Sequence, residues 1–219
     1  YDSGDWYNKV DFSKQTNNWN VGLPRADKDQ PNWSAIQSVI SNPNTVATPE
    51  DINWTDEAFK ALLSVRSSTP LLKLISEQEV VERVRFHNTG SAALPGLIAM
   101  SVNDGVSAGA DLDSNYDAII VLINANTSAQ SIRVSGAQGF ELHPALSASS
   151  DSVVKQSRFA DETFSIPALT AAVFVLPQDG EQGEGLVTET TPVDVPPYGS
   201  TEVYLRGSMN DWSTNDPMT

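Results

Sequence analysis

Two hydrophobic periodicities divide the chain. Between residues 32 and 69 apolar positions return every three or four residues, the spacing of one helix face. Trp33, Ile36, Val39 and Ile40 predict a short helix from Asn32 to Ser41. "TDEAFKALLSVRSST" predicts a longer helix over 55–69, with Thr55 as N-cap and Asp56 and Glu57 in a first turn that favours negative charge. Phe59, Leu62 and Leu63 give that helix an apolar stripe, with Val65 to its side, and Pro70 stops it. The stripe needs a partner, and the irregular residues before it supply little. The expectation is that the partner lies upstream of Tyr1.

From about residue 78 the period changes to two. "EVVERVRFHN", "PGLIAMSVND", "YDAIIVLINAN", "QSIRVSG", "FELHPAL", "TFSIPA" and "TAAVFVLP" are short, β-branched and separated by turn residues. That pattern predicts an antiparallel sandwich over 71–177. In "RVRFHN", alternation puts Val84 and Phe86 on one side and Arg83, Arg85 and His87 on the other. "AIIVLI" is apolar on both sides and predicts a central strand. Residues 178–202 are acidic, rich in Gly, Pro and Thr and without a base, which predicts an extended linker. Residues 203–219 start like a strand and a turn. They are too few for a core and read as the beginning of a truncated module.

Residues 1–54 complicate this division. They are turn-rich yet hold four of the five tryptophans, Trp6, Trp19, Trp33 and Trp54. So much irregular chain is unusual unless its loops are functional or rest on something else. The charge narrows the partners. With 28 acidic and 13 basic residues the net charge is −15, which repels phosphate backbones and anionic membranes. The absence of Cys removes disulfides and thiolate metal sites. No apolar run reaches the roughly 20 residues of a membrane span. A neutral partner and a monomer are expected.

Candidate chemistry is sparse. His87 and His143 lie at strand ends with no second His nearby, so capping or surface roles are favoured over metal binding. No G-x-S-x-G elbow is present, and "GEQGEG" sits in acidic surroundings that would repel phosphate. Asp111, Asp113 and Asp117 cluster without the Gly and terminal Glu of an EF-hand. A turn is the better reading there, a weak calcium site the alternative, and no other cofactor is expected. The opening "YDSGDWYNKVDF" sets Asp2 and Asp5 beside Trp6 and Tyr7. Carboxylates bind hydroxyls and aromatic faces stack on sugar C–H surfaces, so sugar contact is favoured over catalysis.

These stretches resemble a known family. "YDSGDWYNKVDFSKQTNNWNVGLPRADKDQPNW" resembles the segment after the last barrel strand of bacterial pullulanases, α-1,6-glucan debranching enzymes of the α-amylase superfamily. The likeness continues through "LLSVRSSTPLLKL", "RVRFHNTG", "PGLIAMSVNDG" and "LDSNYDAIIVLINA" to "IPALTAAVFVLP", across roughly residues 1–177. The resemblance implies a mainly β chain, in which the end of a (β/α)8 barrel over 1–70 precedes a C-terminal antiparallel β-sandwich. It places the opening loop at the barrel mouth, where sites of this fold are built. It gives Asp2, Asp5, Trp6 and Tyr7 substrate-side or loop-shaping roles, with Tyr7 where relatives often have Phe. The family's catalytic carboxylates lie on earlier strands, so no catalytic residue is assigned to this chain. "EVYLRGSMNDWST" is similar to the start of starch-binding modules, which makes Trp212 a candidate glucan-stacking residue.

Three function classes remain in view. The first is part of a retaining debranching hydrolase acting on pullulan, amylopectin or limit dextrins, with α-glucan as partner and a secreted, periplasmic or cell-surface parent. The second is a non-catalytic glucan-binding module. The third is a structural sandwich.

Overall fold

A computed structural model describes residues 12–15 and 23–187. The described chain forms two compact units. One holds residues up to 64 together with 148–152, and the other holds 65–147 and 153–187.

The first unit is helical. Short helix α1 (Ala26–Asp29) and a 3-10 turn (Gln30–Asn32) lead into α2 (Trp33–Ile40), close to the predicted limits. The Trp33 indole N–H donates to the Pro24 carbonyl at 2.8 Å and ties the loop to the helix. Helix α3 spans Pro49–Ser68, beginning earlier than the sequence pattern suggested. Its cap is Thr48 rather than Thr55. The Asp51 amide donates to Thr48 Oγ1 at 3.2 Å, and the Asp51 carboxylate accepts from the Thr48 amide at 2.9 Å. Pro49 in the first turn suits a position whose N–H has no helical partner. Thr55 instead lies inside the helix and donates back to the Asp51 carbonyl. "TPED" thus starts a helix inside the turn-rich stretch 1–54.

The second unit is a β-sandwich. Its larger sheet has the order β1 (Val84–Phe86), β2 (Leu97–Asn103), β3 (Tyr116–Asn124), β8 (Thr170–Pro177), β5 (Glu141–Leu142). The smaller sheet has the order β4 (Gln130–Arg133), β7 (Thr163–Ile166), β6 (Arg158–Ala160). All pairings are antiparallel. β3 is the predicted central strand, with Ile119, Ile120 and Leu122 fully buried. Ala118, Ile120, Leu122 and Phe174 face the smaller sheet across the interior, where Phe140, Phe159, Phe164 and Phe174 form a chain of mostly edge-to-face contacts.

The opposite face of the larger sheet is apolar too. Ile119 pairs with Val102 and Val175, and these side chains bury Leu71 from the 3-10 turn Pro70–Lys73. Leu72, Leu74 and Val84 pack around that cluster. Further along the same face Phe86, Ile98 and Ile123 stay exposed.

One predicted strand divides into two elements. "EVVERVRFHN" opens as helix α4 (Glu77–Arg83) and becomes β1 only at Val84. Ser76 and Glu79 form a reciprocal capping box, which outweighs the β preference of Val80 and Val81. Arg83 therefore closes a helix instead of alternating with Arg85. It is 3% exposed and pairs with Asp104, which is fully buried.

That pair organises the loop between β2 and β3. Asp104 Oδ2 accepts from the Leu112 amide at 3.0 Å and the Asp113 amide at 2.8 Å. The Arg83 guanidinium also donates to the Ala110 carbonyl at 2.6 Å. Breaking a buried pair from one side leaves an uncompensated charge, so Arg83→Ala should cost about 3–5 kcal/mol in urea unfolding. The double variant Arg83→Met/Asp104→Leu should recover only part of this loss, because two loop amides still lack their acceptor. Full recovery would show that the carboxylate does not hold the loop.

Candidate functional site

The residues assigned sugar-side roles from sequence, Asp2, Asp5, Trp6, Tyr7 and Trp212, lie outside the described residues. The remaining candidates are the acidic cluster, the two histidines and the exposed apolar faces.

The acidic cluster is a turn, and its carboxylates point to different partners. Asp113 Oδ1 accepts from the Asn115 amide at 3.0 Å, and the Tyr116 amide returns to the Asp113 carbonyl. Asp111 accepts from the Gln178 side chain, and Asp117 from the Gly183 amide. Among the described residues no three His or carboxylate groups converge as a metal site would require. Burial pushes the Asp104 carboxyl above the ordinary carboxylate range, while the Asp113 and Leu112 amides and Arg83 draw it back toward the ionised form.

His143 is a buried capping residue. It precedes α5 (Pro144–Ser147), and its Nδ1 accepts from the Ala145 amide at 3.1 Å. The ring proton of the neutral form is therefore on Nε2, 2.9 Å from Ser68 Oγ. Ser68 donates onward to the Val65 carbonyl at 2.8 Å. The hydroxyl thus points its hydrogen away from the imidazole, the reverse of an activated serine nucleophile. What the pair does is join the end of α3 to the strand β8 region, where the His143 amide donates to the Val173 carbonyl. His87 is also half-buried, with Nε2 2.8 Å from Ser101 Oγ.

In the first unit, Ala47, Ile52, Thr55 and Phe59 line a shallow groove with Asp51 and Asp56. Both carboxylates are committed. Asp51 caps α3, while Asp56 is held by Lys14 and Lys60. These partners keep both pKa values below the usual carboxylate range, so neither is poised as a general acid. The predicted stripe is present and exposed: Phe59 is 61% exposed, and Leu62 and Leu63 are exposed beside it.

Sequence reasoning missed two structural centres. One is the Arg83–Asp104 pair, signalled only by the Ser76–Glu79 capping box that turns Arg83 into a helix end. The other is the contact between "NDG" at 103–105 and "GEG" at 183–185, where glycines allow two backbone segments to meet.

Comparison with known proteins gives one answer. The family described as "Alpha-1,6-glucosidases, pullulanase-type, C-terminal" matches residues 14–177. Pullulanase 1, chloroplastic, from Arabidopsis thaliana is 38% identical over 187 residues, covering 82% of this chain and 19% of that protein. The pullulanase of Klebsiella pneumoniae is 39% identical over 190 residues, covering 85% of this chain and 17% of its own. Among solved structures, the maltotriose complex of PulA from Klebsiella pneumoniae superposes with a TM-score of 0.75 at 35% identity, over 87% of this chain and 21% of that one. The chain thus spans under a fifth of the length of these curated relatives.

Burial lowers the pKa of both histidines below their ordinary value of 6.5. The unfolded chain binds a proton near pH 6.5, and the folded one only at lower pH. Between those values the unfolded state binds more protons, so stability falls as the pH drops through that window. The urea midpoint should decline from about pH 7 to pH 5.5, and His143→Gln should flatten part of the slope. Equal slopes in the two proteins would exclude His143 as the source.

Proposed function

This chain belongs to the pullulanase-type α-1,6-glucosidase C-terminal family, and on that premise we propose that it serves a larger debranching hydrolase. The substrate would be an α-glucan with α-1,6 links, such as pullulan, amylopectin or limit dextrin. The reaction would be a retaining double displacement through a covalent glycosyl-enzyme, with nucleophile and acid carboxylates about 5–5.5 Å apart. Those carboxylates belong to the rest of the enzyme.

The observation that carries this reading is the family match across residues 14–177, a sandwich preceded by a helix with an exposed apolar stripe. The organised polar groups of the described residues are committed to structure. Arg83 and Asp104 hold a loop, His143 and Ser68 hold a helix end, and Asp51 and Asp56 are capped or paired. The proposed contribution of this chain is the sandwich with one rim of the glucan cleft. At that rim Asp2 and Asp5 would accept hydroxyls, and Trp6 and Tyr7 would offer stacking faces. Trp212 would offer another stacking face further along the chain.

The test compares this chain alone with the full-length protein in reducing-sugar assays on pullulan. Activity is expected only in the full-length protein, where Trp6→Ala should lower kcat/KM by a factor equivalent to about 1–3 kcal/mol of transition-state stabilisation. Its urea midpoint should move little. Release above a buffer blank by this chain alone would overturn the proposal. A large midpoint shift with near-normal kinetics in the folded fraction would make Trp6 a packing residue.

A further inference from the structure

The acidic segment after β8 does not leave the sandwich at Pro177. Gln178 donates its amide to the Asn115 carbonyl at 2.8 Å and its side chain to Asp111 at 3.0 Å. Gln182 Nε2 reaches two carbonyls, Asp104 at 2.7 Å and Gly109 at 2.9 Å. The Gly183 amide donates to Asp117 Oδ1, and the Gly183 carbonyl accepts from the Val106 amide, each at 2.9 Å. The Leu186 amide donates to Asn103 Oδ1 at 2.8 Å, and Leu186 itself is 5% exposed.

Three glycines make this approach possible. A Cβ on Gly105 would lie 2.0 Å from the Glu184 carbonyl oxygen. One on Gly183 would lie 2.5 Å from Asp117 Oδ2, and one on Gly185 would lie 2.2 Å from Asn103 Oδ1. Gly185 also has φ +68°, a conformation that side chains disfavour. Acceptors on one side, glycines on both and a buried leucine at the end describe a peptide-binding cleft already filled.

We propose that residues 182–186, Gln-Gly-Glu-Gly-Leu, are an intramolecular ligand that latches the β2–β3 loop onto the sandwich. The ligand class is a small-residue backbone strand with one apolar anchor. The bound stretch carries Glu184 on its exposed side, so binding does not use that charge. The same loop is held from its other side by Arg83, through Asp104. The latch therefore completes the clamp that Arg83 begins, and the sandwich grips its chain at least through Leu186.

Hydrogen exchange on the whole 219-residue chain tests this. The amides of Val106, Gly183 and Leu186 should exchange at least tenfold more slowly than in a free peptide. Gly185→Val and Leu186→Asp should release all three together, and Gln182→Ala should accelerate them with the fold intact. Glu184→Lys should leave them protected. Proteolysis after Glu184 should follow the same order among the variants that keep Glu184. Free-peptide exchange at these amides in the unaltered chain would overturn the latch, as would undiminished protection in Gly185→Val.

Discussion

Strand β3 is apolar on both faces, and the second unit is arranged around that fact. Ala118, Ile120 and Leu122 demand cover on one side, and Ile119 and Val121 on the other. A sheet with two apolar faces folds only if two layers cover it. The smaller sheet and its phenylalanines supply one layer. The stretch after α3 supplies the other, by laying Leu71 and its neighbours over Val102, Ile119 and Val175.

The polar groups follow from this arrangement. Leu71 reaches the sheet only if the chain turns at the end of α3. Thr69 caps that turn through the Leu71 amide, while Ser68 and His143 fasten the helix end beside it. On the far side of the same sheet face, α4 delivers Arg83 to the long loop between β2 and β3, where Asp104 collects the loop amides. These buried groups look like candidates for chemistry in a sequence. In the fold their contacts, to backbone and to one another, fix geometry: Asp104 gathers the Leu112 and Asp113 amides beside Arg83, and His143 takes the Ala145 amide and meets Ser68.

Local periodicity made much of this legible. β2, β3, β4, β7 and β8 fell where alternating or apolar runs stood between turn residues, and "AIIVLI" announced its central place. α2 was legible from four apolar positions. What was misread turned on short-range capping chemistry. "TPED" starts α3 through Thr48 and Asp51, and "SEQE" starts α4 through Ser76 and Glu79, despite the β-branched residues that follow. β6 was missed because "RFA" is too short to alternate, and its hairpin turn uses Asp161 and Glu162 at positive φ instead of glycine. The docking of 182–186 depends on contacts between residues some eighty positions apart. Composition there pointed to a linker, because acidic and glycine-rich chain is usually solvated. The opening loop lies outside the described residues, and its position and role rest on the resemblance alone.

The most direct test of the account is the cover on the outer face. Leu71→Ala removes the residue at its centre without touching a strand or a hydrogen-bonding side chain. If the segment after α3 is a required layer, urea unfolding should show a loss of about 2–5 kcal/mol, the range for a buried leucine. Protection of the Ile119 and Val175 amides should fall with it. A change below about 0.5 kcal/mol, the range of ordinary surface substitutions, would contradict the account. It would mean that the larger sheet stands without its outer layer.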